Sequence, residues 1–165
     1  MRNSASLAAV VLAALVGFSG SALADDDSCG AQTAVNNTIS SADAWDSLAS
    51  CTVTLEAAHS HNCVVNACAD AGGPVVGVNN DYRFVVSTAL GGPGLDTAWE
   101  RSVELNNNGG IDDMDSIPVC TTRLVTVPAG SASVTLYWLA RKVDAADGDM
   151  VVLDASLTAV CTDNL

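Results

Sequence analysis

Apolar and polar residues alternate along much of this chain with a period of two, the pattern of strands that bury one face. In the run Cys51 to Ala58, Val53 and Leu55 alternate with Thr52 and Thr54. In Tyr82 to Ala89, Tyr82, Phe84 and Val86 share one face, while Arg83, Val85 and Ser87 share the other. Trp99, Arg101, Val103 and Leu105 line one face of a third run. Cys63 to Asp70, Val119 to Val127, Ser133 to Val143 and Met150 to Cys161 bring the predicted strands to seven. Between them stand breakers: His59-Ser60-His61-Asn62, Gly72-Gly73-Pro74, Gly91-Gly92-Pro93-Gly94, Pro128-Ala129-Gly130-Ser131 and the acidic loop Asp144 to Asp149. The longest irregular stretch runs from Asn106 to Pro118. A helical pattern occurs once, over Ser41 to Leu48, with Ser40 or Ser41 as its N-cap. With no helices between the strands to carry parallel crossovers, the expected architecture is all-β. It is an antiparallel β-sandwich of jelly-roll type, with about 7–10 strands. Val134 to Leu139 is apolar on both faces, as in a strand buried between sheets or against a neighbouring subunit.

The first 24 residues read differently. Arg2 precedes an apolar run from Leu7 to Phe18, and Ala22-Leu23-Ala24 is followed at once by Asp25-Asp26-Asp27. This is the layout of a secretory signal peptide cleaved after Ala24. The apolar run is about 12 residues, well short of the roughly 20 needed to cross a bilayer. No later segment is long and apolar enough to do so. The expected product is exported to the periplasm or beyond. Its expected organisation is a signal peptide over 1–24, an N-terminal segment with the short helix over 25–50, and a β-sandwich over 51–165.

The chain carries 6 Lys+Arg against 19 Asp+Glu, a net charge of −13, and cleavage after Ala24 deepens it by the loss of Arg2. Nucleic acid needs a Lys/Arg stripe to neutralise phosphates, so it is excluded as a partner, as is electrostatic docking on anionic lipid. At 49% hydrophobic residues the chain is too apolar for a disordered acidic tail. Aspartate dominates the acids and Lys142 is the sole lysine, which suits a surface kept soluble by charge.

Six cysteines, Cys29, Cys51, Cys63, Cys68, Cys120 and Cys161, follow the signal. An even number in an exported chain predicts disulfides, and six allow 15 connectivities. A hairpin would pair Cys51 with Cys68, and closeness of the chain ends would pair Cys29 with Cys161. Cys63 and Cys120 would then form the third bridge.

Several of these segments together resemble a family. Cys63-Val64-Val65-Asn66-Ala67-Cys68-Ala69-Asp70 is followed by Asp81-Tyr82-Arg83-Phe84-Val85-Val86. Thr122-Arg123-Leu124-Val125-Thr126-Val127-Pro128-Ala129-Gly130 then leads to Val134 to Arg141 and the closing run Val151 to Val160. The succession, spanning Cys51 to Cys161, is similar to bacterial exported jelly-roll sandwiches of the complement-globular-head and tumour-necrosis-factor-like type. The resemblance implies a sandwich of about ten strands, often trimeric, used for binding or assembly, and it carries no catalytic residue over. Six cysteines and few aromatics in the closing strands are departures from it.

Candidate sites come from the acids, the histidines and the aromatics. Asp112, Asp113 and Asp115 cluster after Gly109-Gly110, and Asp144, Asp147 and Asp149 cluster around Gly148. Closely spaced aspartates suit calcium, which takes six to eight oxygens, although neither cluster has the spacing of an EF-hand loop. The competing reading is solvated acidic turns. His59, His61 and Cys63 have the alternate spacing of zinc or copper ligands on a strand. An oxidised Cys63 beside a polar turn is the plainer reading. Trp99 and Tyr82 are the candidates for stacking against a sugar ring. No Gly-x-Ser-x-Gly elbow appears, and neither histidine shows a readable Ser/Asp partnership, so a non-enzyme is expected. The expected function is an exported binding or assembly module of the bacterial cell exterior. Its partner would be itself or a surface carbohydrate, and it would need no cofactor unless the acidic loops take calcium. The alternatives are a fibre or surface-layer subunit, a calcium- or carbohydrate-binding recognition module, and a small hydrolase.

Overall fold

The computed structural model describes residues 27–33, 37–72, 80–92, 100–105 and 116–164. These form nine strands: β1 (Asp27–Thr33), β2 (Asn37–Ile39), β3 (Asp46–Thr54), β4 (Ser60–Gly72), β5 (Asn80–Ser87), β6 (Arg101–Leu105), β7 (Ser116–Val127), β8 (Ser133–Lys142) and β9 (Met150–Asn164). The first sheet has the order β1-β9-β4-β7, with β2 also on β9, and the second has the order β3-β8-β5-β6. Every pairing is antiparallel. The pairs β1·β9, β3·β8, β4·β7 and β5·β6 nest as one long hairpin with its tip at β5–β6. Successive pairs fall alternately in the first and second sheet. That is the wrap of a jelly roll, and the expected fold class holds.

Alternation explains which side chains enter the core. Along β4, His61, Cys63, Val65, Ala67, Ala69 and Ala71 point inward and are buried, while Val64, Asn66, Cys68 and Asp70 face solvent. Trp138, Tyr82, Phe84 and Leu136 fill the second sheet's inner side. The Phe84 and Trp138 rings meet at 5.5 Å with 35° between their planes, a diagonal pair across β5 and β8. Arg123 on β7 reaches across to donate to the Val86 carbonyl on β5, tying one sheet to the other. At the β7–β8 turn, Gly130 adopts φ 95°, a conformation that favours glycine, and its N–H donates to the Ala57 carbonyl at 2.7 Å. Gly92, at φ 78°, lies so close to Trp45 that a Cβ there would collide with the indole.

The sequence-based reading needs three corrections. The helix over Ser41 to Leu48 does not form. Ser41 Oγ does accept the Ala44 amide at 3.0 Å, as a cap would, but the chain bends and enters β3 at Asp46. In β3, Leu48 and Ala49 are buried and the strand pairs along β8, contacts that a short isolated helix could not replace. The sandwich also starts well before residue 51, because β1 pairs with β9 from Asp27 onward.

The third correction concerns the bridges. All six cysteines are paired, but as Cys29–Cys51, Cys63–Cys161 and Cys68–Cys120. Cys63 and Cys161 are directly opposite on β4 and β9 with both side chains inward, and Cys68 and Cys120 are directly opposite on β4 and β7 with both outward. Cys29 and Cys51 join β1 of one sheet to β3 of the other. Three cystines and no free thiol among six cysteines point to an oxidising compartment, periplasmic or extracellular. Among the described residues no helix is long and apolar enough to cross a membrane.

Asp46 illustrates a burial penalty. Its Oδ2 is buried without a hydrogen-bond partner, and desolvation raises its carboxyl above the usual 3.8. A raised carboxyl pKa means that the folded state holds the proton more tightly than the unfolded state. Stability therefore falls as pH rises from the ordinary Asp range through the raised value. Asp46→Asn, which removes the desolvated charge, is expected to raise the melting temperature at neutral pH. The gain should vanish below the ordinary Asp range, as thermal melts across pH will register.

Candidate functional site

The outer face of the first sheet presents its side chains in regular rows. Pairing registers place Thr126, Asn62 and Thr162 in one row across β7, β4 and β9. The next row is Leu124, Val64, Val160 and, on β1, Ser28; the row after it is Thr122, Asn66, Thr158 and Gly30. Cys120, Cys68, Ser156 and Gln32 complete the array. None of these positions carries a charge, in a chain with 19 acids. Leu124 is 59% exposed, Val64 45% and Val160 45%, so the three largest apolar side chains of the face stand side by side in water. Thr122 Oγ1 donates to Asn66 Oδ1 at 2.7 Å and Thr126 Oγ1 donates to Asn62 Oδ1 at 3.0 Å, ladders that hold the polar rows in place on either side of the apolar one. At strand spacings of about 4.8 Å and about 3.4 Å per residue, the array measures about 20 Å each way.

A groove of about 290 Å³ borders this face, lined in part by Gln32, Thr33, Asp70, Asp154 and Ser156. It opens where β1 ends at Thr33, beside the register shift between β4 and β9 at Ala69/Ala71. Asp70 and Asp154 supply the carboxylates that the face itself lacks.

The residues singled out from sequence fall elsewhere. Asp112, Asp113, Asp115 and Trp99 lie outside the described residues. The Asp144–Asp149 loop is knit to itself: Asp147 Oδ2 accepts the Asp144 amide at 2.8 Å, and Asp144 Oδ1 accepts the Ala146 amide at 2.9 Å. Asp149 pairs with the buried Lys142 at 3.2 Å. Gly148 is clamped from the core, its N–H donating to Asn80 Oδ1 at 2.6 Å and its carbonyl accepting from the Tyr82 hydroxyl at 2.8 Å. Tyr82 is fully buried and offers no ring face to a sugar; burial first, then the Asp147 and Asp149 charges, push its phenol far up. Cys63 sits in a bridge, so the His59, His61, Cys63 ligand set is not assembled, and His61 is buried rather than on the surface. The structure instead gathers Glu56, His59 and Asp163, with one potential ligand atom from each within 4.8 Å of the others. Sequence reading missed this set because Asp163 lies about 100 residues from the turn and arrives only through its pairing with His61.

Fold and surface together define a class, the disulfide-bridged jelly-roll β-sandwich. No family model matches the chain, and no curated protein matches it. Among solved structures it is similar to dimeric latent PorU from Porphyromonas gingivalis, with a TM-score of 0.50 at 13% identity, over 87% of this chain and 14% of that one. The chain thus spans about one-seventh of that protein's length. At this identity the likeness shows the fold alone.

Proposed function

We propose that the protein is an exported, non-catalytic assembly module of the bacterial cell exterior that docks through the outer face of its first sheet onto a second copy of itself. The observation that supports this reading is the uncharged four-strand array on a chain of net charge −13. Two net-negative chains repel each other, and this face lets them approach without setting carboxylate against carboxylate. A polar row flanks the apolar row on each side, so a two-fold axis along the apolar row lays apolar on apolar and polar on polar. A face of about 400 Å² is half that of a standard stable interface, which suits a weak, reversible dimer.

Leu124→Glu tests the reading. The position is exposed, so stability should stay within about 0.5 kcal/mol of wild type. In sedimentation equilibrium the variant should self-associate at least about tenfold more weakly, because each copy would set a carboxylate in the apolar row. Unchanged association in Leu124→Glu removes the face from the account.

A further inference from the structure

We infer that Glu56, His59 and Asp163 form a binding site for a divalent transition-metal ion, zinc being the representative case, at the end of the sandwich where β3 turns into β4. The donors are one imidazole and two carboxylates, with ligand atoms already within 4.8 Å of one another. Tetrahedral zinc with bonds of about 2.0–2.2 Å places its ligand atoms about 3.3 Å apart. Glu56 is exposed and His59 is on a turn, so side-chain rotation closes that distance without moving a strand.

A second observation sets this cluster apart from an ordinary acidic surface. His61, 1% exposed, lies directly opposite Asp163 in the β4–β9 ladder. Its Nε2 donates to the Glu56 carbonyl at 2.8 Å, and its Nδ1 lies 2.9 Å from Asp163 Oδ1 without hydrogen-bond alignment. One buried ring thus holds the backbone of one prospective ligand and lies against the carboxylate of another. This is the supporting role that residues behind a metal's own ligands commonly perform. His61 is a positioning residue in this arrangement, not a ligand. The turn is fixed again from its other side, where the Gly130 N–H donates to the Ala57 carbonyl.

The donor chemistry selects the ion. Calcium and magnesium take oxygen ligands and gain nothing from an imidazole, whereas zinc, copper and nickel accept mixed nitrogen and oxygen sets. Three protein donors leave the fourth zinc position to water. The bound ion would fasten the last residues of β9 to the β3–β4 turn, closing one end of the roll.

The test is a thermal melt of the oxidised protein with and without zinc sulfate. Zinc at about a hundredfold excess over its Kd should raise Tm by about 5–10 °C, since an ion bound only by the folded state stabilises it. Magnesium and calcium at the same concentration should leave Tm in place. His59→Ala and Glu56→Gln, both outside the core, should fold normally and lose the zinc shift. Cobalt(II) should give the visible absorption of a tetrahedral nitrogen/oxygen site in wild type but not in His59→Ala. Absence of a zinc shift, an equal shift with magnesium, or a shift retained in His59→Ala would each overturn the assignment.

Discussion

Replacing Cys63 and Cys161 together by alanine is expected to destabilise the protein by about 4–5 kcal/mol, the largest loss available from any single bridge. The bond closes 98 residues of chain, against 52 for Cys68–Cys120 and 22 for Cys29–Cys51, and the unfolded-state freedom that a bridge removes grows with loop length. Both sulfurs are also wholly buried, so two alanines leave unfilled core volume that the exposed Cys68–Cys120 bridge would not. A domain's whole stability is about 5–15 kcal/mol, so the double variant should be barely folded at ordinary temperature. Urea titration of the three double-cysteine variants should rank their losses in the order of the loops. A Cys63/Cys161 variant no weaker than the Cys29/Cys51 variant would show that loop length and burial do not set the order of the losses.

Trp138→Ala should come next, at about 3–5 kcal/mol. Trp138 has no exposed surface and packs against Phe84, which itself shows none. It sits on β8, central in the second sheet between β3 and β5, so the vacated volume faces both neighbours and cannot be filled by relaxation of an edge. Trp138→Phe, which keeps a ring against Phe84, should lose markedly less. Equal losses for the two variants would place the indole outside the core.

Much of this architecture could be read from alternation because burial and period coincide. In β5, Tyr82, Phe84 and Val86 are all buried, and in β4 the odd-numbered residues carry the core. β1 escaped because its inward residues, Cys29, Ala31 and Thr33, are small and only half-buried, and so leave no apolar stripe to find. The Ser41–Leu48 segment misled because its residues tolerate a helix, and only pairing with β8 decides for the strand. Two of the bridges follow from the faces on which their cysteines lie. Cys63 and Cys68 are five apart on one strand, so they face opposite sides, and each requires a partner of matching face. Cys161 falls inward with Leu157 and Ala159, whereas Cys120 falls outward beside the buried Val119. The outer array was invisible for a different reason. Its members are scattered Thr, Asn and Val residues on four strands, and only the registers place them in rows.

The account rests on that neutral face being where copies of this acidic chain meet. Sedimentation of the oxidised protein without residues 1–24 over a range of sodium chloride concentrations tests it most directly. Self-association should strengthen as salt rises, because screening removes the repulsion between net-negative bodies while the uncharged contact loses nothing. A species that stays monomeric at every concentration and salt, or an association that weakens as salt is added, would contradict it.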